Sequence, residues 1–89
     1  MDLKRTVTLA DIESEHPYLH DESHYKDSHE HWLELREEWL AFVALVVDGD
    51  AIWEYEDVNV HLGFASGSGG FLIKRGDTIV DRFATYAVG

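Results

Sequence analysis

Apolar and polar residues follow two rhythms along this chain, and the change of rhythm separates a helical part from an extended part. From Ser28 to Asp48 the period is helical. At about 100° per residue, Glu30, His31, Glu34, Glu37, Glu38, Ala41 and Asp48 fall on one side. Trp32, Leu33, Leu35, Trp39, Leu40, Phe42, Val43, Val46 and Val47 fall on the other, with only Arg36 and Leu45 out of place. This pattern predicts a long amphipathic helix with a wide apolar face and an acidic back. Ser28 is placed to cap its start beside the Asp27 charge, and Gly49 to end it. The β-branched run Leu40 to Val47 also suits a strand entering the DGD turn, but the unbroken helical period favours the helix.

The flanking segments read differently. Leu3, Arg5, Val7 and Leu9 alternate with Lys4, Thr6 and Thr8, the pattern of a short edge strand. TLAD, Thr8 to Asp11, opens a short helix as a capping box, and Pro17 closes it near Glu15. Tyr18 to Asp27 is polar and reads as a helical turn or an ordered loop pinned by Tyr18, Leu19 and Tyr25. Beyond the DGD turn, Ala51 to Tyr55 can extend, and Val58 to Phe64 is a strand by alternation. Ser66 to Gly70 reads as a flexible connection. Phe71 to Arg75 and Thr78 to Ala84 flank Gly76-Asp77, a two-residue type II′ turn. That register pairs Ile73 with Val80 and Arg75 with Thr78, and it sets Phe83 on the face opposite Phe71 and Ile73. The fold class expected is α+β: one long helix on a small antiparallel meander, with a short N-terminal helix, in a single domain spanning residues 1–89.

Composition narrows the function. The chain has no Cys, so no disulfide or thiolate-held zinc staples so small a domain, which suits the cytoplasm. It has no 18-residue apolar run and no basic segment ahead of an apolar one, so neither membrane insertion nor export is expected. Eighteen acidic residues against seven Lys and Arg leave a net charge of −11. Such a field repels nucleic acid and anionic membranes and attracts basic protein surfaces.

Candidate chemistry is sparse. His16, His20 and His24 recur every fourth residue, with His29 and His31 close behind, but Pro17 interrupts the helix that would align them. HDESH has Asp21 where the zinc-protease motif HExxH needs Glu. No tight metal site and no cofactor are therefore expected, although the His-rich segment offers a metal-binding or pH-responsive module as an alternative role. The glycine-rich run lacks the Gly-Lys-Ser/Thr ending of a phosphate loop, and no GxSxG nucleophile occurs. An enzyme is not expected.

What remains is the acidic helix back. Glu30, Glu34, Glu37 and Glu38 spread along roughly 12 Å at the helical rise, about one charge per 3–4 Å. One DNA strand carries a charge about every 3.4 Å. Asp48, Asp50, Glu54, Glu56 and Asp57 continue the acidity beyond the helix. These nine residues are the expected partner-binding set, and the expected partner is the basic surface of a nucleic-acid-binding protein. By composition alone, the profile resembles that of phage-encoded inhibitors such as anti-CRISPR and anti-restriction proteins, and of nuclease immunity proteins and glycosylase inhibitors, with DNA mimicry as one way to occupy such a surface. The remaining alternative is an acidic subunit that assembles through an apolar helix face or an open sheet edge, including as a homodimer.

Overall fold

The computed structural model describes residues 1–89. Thr8 opens the first helix, α1 (Leu9–Glu15), with the capping box that its sequence predicts: Asp11 N donates to Thr8 Oγ1 and Thr8 N to Asp11 Oδ2. Pro17 then starts a 3₁₀ turn, Pro17–Leu19, and Asp21 caps a second, Glu22–His24. Leu19 is fully buried, so it anchors this polar segment.

The long helix, α2, spans His29–Leu45. Ser28 accepts from His31 N at its start. The helix stops two residues short of Val47. Val46 is extended, and Val47 to Asp50 is a turn in which Gly49 takes φ 91°. Gly49 thus shapes the turn beyond the helix and does not cap it directly. Arg36, out of place on the apolar side, donates to Leu19 O at 2.6 Å, and Trp32 Nε1 donates to Tyr18 O at 2.7 Å. Both side chains moor the helix to the first 3₁₀ turn.

Four strands, β1 (Asp2–Val7), β2 (Ala51–His61), β3 (Phe64–Arg75) and β4 (Thr78–Val88), form one antiparallel sheet in chain order. Helices cover one face only, in a slab 18 Å thick. Trp39 and Phe42 of α2 stack on each other and both meet Phe83. Val7, Ile12, Leu19, Ile52, Phe71 and Ile73 complete this core. Trp32, Leu33, Leu40 and Val47 are not in it; Trp32 is half-buried and the other three are exposed. The apolar side of the helical period is wider than the sheet beneath can cover.

Three strand expectations are corrected. The expected strand Val58–Phe64 is split: β2 ends at His61, Leu62-Gly63 turn, and Phe64 begins β3. Ser66–Gly70 is no flexible connection. It lies inside β3, paired with β2 from Asn59↔Ser66 to Tyr55↔Gly70, and the turn falls earlier, at Leu62-Gly63. Arg75 does pair with Thr78, but a bulge between Ile73 and Lys74 makes Ile73 face Asp81 in place of Val80. One extra residue in β4 reverses the alternation after it, which brings Phe83 to the helix-covered face beside Phe71 and Ile73.

Candidate acidic interface

Capping and core burial fix the rotation of α2, because Trp39 and Phe42 can face only the sheet. Glu30, Glu34, Glu37 and Glu38 therefore point to solvent, and none of them meets a cation within ion-pair distance. Leu33, Leu40 and Leu45 flank this row at 45%, 49% and 43% exposure. Asp48 follows the helix, exposed and unpaired.

The other acidic residues are engaged within the fold. The Asp50 carboxylate is 1% exposed; it accepts from Arg75 Nε and Nη2 at 2.8 and 2.9 Å and from Val47 N at 3.0 Å. The guanidinium first, and the amide second, hold it at a pKa of about 2. Glu54 accepts from Arg5 Nε at 2.5 Å, and Glu15 pairs with the same guanidinium. Glu56 accepts from the Tyr86 hydroxyl at 3.2 Å. Asp57 lies between the N-terminal amine and Arg82. Strand alternation puts Glu54 and Glu56 on the helix-covered face and Asp57 on the other. Of the nine expected residues, the four helix glutamates and Asp48 are exposed and without a partner, and Glu56, bonded to a hydroxyl, also meets no cation.

The histidines do not converge. His16 packs edge-on against Tyr18 and Phe71. His24 lies beside Asp21, His29 bonds Glu22, and His31 Nδ1 meets Asp27 Oδ2 at 2.8 Å. Hydrogen bonding to Asp27 raises the His31 pKa above its ordinary 6.5 and lowers that of Asp27. Lys4, His16, Glu54, Glu56, Phe71 and Tyr86 ring a cleft over the bare backbone of Gly70, but its two carboxylates are the pair already bonded to Arg5 and Tyr86.

Sequence reasoning did not single out the three exposed leucines. For Leu33 and Leu40 the signal was the width of the apolar arc, too broad for one sheet face; for Leu45 it was its place on the acidic side. No helix is long and apolar enough to cross a membrane. In comparisons with known proteins, the chain matches no family model, no curated protein and no solved structure.

Proposed function

We propose that this protein is a binding protein that blocks a nucleic-acid-processing partner by laying the outer face of α2 on the partner's basic surface. The observation that carries the reading is the row Glu30, Glu34, Glu37 and Glu38, four exposed and unpaired carboxylates along one helix face, while Asp50, Glu54 and Asp57 beyond the helix are matched to cations. Leu33, Leu40 and Leu45 beside it supply what a merely solvated helix back lacks: apolar area that a partner can dehydrate. Carboxylates at phosphate-like spacing would occupy a groove built for nucleic acid, and the field of the whole chain would speed the encounter. The site of action would be the cytoplasm, where such partners work.

The test begins with capture of partners from an extract of the native host. The captured protein is then loaded with labelled duplex DNA. Wild type is expected to displace the DNA, and Glu34→Lys/Glu38→Lys to fail, because like charge across an interface costs several kcal/mol. A captured partner with no affinity for nucleic acid would overturn the reading. So would equal displacement by the two proteins.

A further inference from the structure

Two bulges in the sheet aim at one place. β1 pairs Leu3 with Tyr55 and Arg5 with Glu54, so Lys4 is an extra residue between them. β4 pairs Ala84 with Gly70 and Tyr86 with Gly69, so Thr85 is another. The two bulges lie on opposite sides of the central β2–β3 pair, level with Tyr55↔Gly70. Bulges re-aim side chains, and they are over-represented beside working sites. Here Lys4 and Thr85 both line the cleft over Gly70, a cavity of about 210 Å³.

The charges that face this cleft do not meet. Lys4 forms no ion pair, although Glu54 and Glu56 line the same cavity. Arg5 holds Glu54 through Oε2, and the Tyr86 hydroxyl donates to Glu56 Oε2. Oε1 of each carboxylate has no hydrogen-bond partner in the fold. Phe71, 2% exposed, gives the cleft an apolar floor. The His16 ring stands edge-on to it at 5.6 Å and is braced by the Tyr18 hydroxyl at 3.3 Å from Nδ1.

Separated opposite charges over an apolar floor select a ligand that carries both charges on a short skeleton. A simple anion would face Glu54 and Glu56, and a simple cation would face Lys4. A zwitterion meets each charge with its opposite. The cavity is smaller than the ~300 Å³ at which sites for drug-sized molecules begin, which suits a compact ligand.

We propose that the cleft binds a free apolar α-amino acid, with its carboxylate on Lys4 Nζ, its ammonium at the open oxygens of Glu54 and Glu56, and its side chain against Phe71 and His16. The site lies on the sheet, apart from the outward face of α2, and the proposal does not rest on the inhibitory reading.

NMR titration of the full, ¹⁵N-labelled chain with L-leucine, L-methionine and L-phenylalanine tests it. At least one of the three is expected to give saturable amide shifts centred on Lys4, Glu54, Glu56, Phe71 and Thr85, with Kd on the order of 1 mM or tighter. Its N-acetyl derivative, which lacks the cation, and its carboxamide, which lacks the anion, should each bind about tenfold more weakly. Lys4→Gln and Glu56→Gln should each weaken the amino acid about tenfold, the worth of one charge-assisted hydrogen bond. Their melting temperatures should stay near wild type, because neither side chain has a charged partner in the fold and Gln still accepts from Tyr86. No saturable shift with any of the three overturns the proposal. Equal binding of the carboxamide overturns it too, since the cleft then responds only to positive charge. Undiminished binding by both variants places the amino acid elsewhere and overturns the assignment of these residues.

Discussion

The Asp50 carboxylate is nearly covered, on a residue only half-buried, and still ionised, because Arg75 and the Val47 amide supply three hydrogen bonds to its two oxygens. Arg75 also donates to Leu45 O, so one guanidinium ties the end of α2 to the start of β2. The folded-state pKa of about 2 lies below the ordinary 3.8. The unfolded chain therefore binds the proton first as pH falls, and the stabilisation is complete above about pH 4 and lost between there and about pH 2. Asp50→Asn should accordingly show a shallower fall in melting temperature than wild type across that window; parallel curves would mean that the clasp contributes nothing. Asp27 and His31 form a second pair, on the surface. The raised His31 pKa makes its contribution complete below pH 6.5 and lost as pH rises through the folded value. The lowered Asp27 pKa makes its contribution present above about pH 4 and lost on acidification. Replacing Asp27 by Asn should bring the His31 titration, followed by NMR of the ring protons, down toward 6.5; an unmoved titration would show that the pair does not persist in solution. These partners lie 25 and 4 residues apart, and only the nearer was open to sequence reasoning.

At the scale of elements, several local signals were read correctly, but the end of α2 and the Leu62-Gly63 turn, both local, were not. The Thr8–Asp11 capping box, the Pro17 stop, the Ser28 cap and the Gly76 turn each involve residues within four positions of one another. The remaining errors came where a distant partner decides. Ser66–Gly70 has the composition of a loop, yet it is strand because its glycines admit groups from β4. A Cβ on Gly69 would enter the Tyr86 ring, and one on Gly70 would lie 2.2 Å from Phe83 O. Gly70→Ala forces a backbone carbonyl to move and should cost about 1–3 kcal/mol, the usual range for overpacking, in urea denaturation. A neutral result would mean that β4 shifts freely there. The bulge that turns Phe83 inward is equally silent in the sequence, since a one-residue insertion leaves composition and hairpin turn unchanged. Its consequence is the aromatic cluster of Trp39, Phe42 and Phe83. Trp39 is fully buried in that cluster, so Trp39→Ala should cost about 3–5 kcal/mol, with unfolding at room temperature a realistic outcome for so small a domain.

For the whole molecule the governing quantity is charge in relation to shape. A slab 18 Å thick bearing −11 holds its carboxylates closer together than the unfolded chain does, so self-repulsion opposes folding. The paired acids Asp50, Glu54 and Asp57 relieve part of this, but the α2 row does not, and Glu30, Glu34 and Glu38 repel one another at i, i+4 spacing. Salt should therefore stabilise this protein. At about 10 mM ionic strength the Debye length is about 30 Å, comparable with the molecule, and at 1 M it is about 3 Å, shorter than one helical turn. The melting temperature of wild type should rise steadily across that range. Each Glu→Lys reversal removes one negative charge and adds one positive, so Glu34→Lys/Glu38→Lys carries −7. That variant should melt at or above wild type in low salt and gain less from added salt, because the repulsion that salt screens has been partly removed. Scanning calorimetry of the two proteins from about 10 mM to 1 M NaCl makes the comparison. If their salt dependences are the same, the helix glutamates are too far apart in effect to repel, and the row would have no concentrated field with which to steer a basic partner.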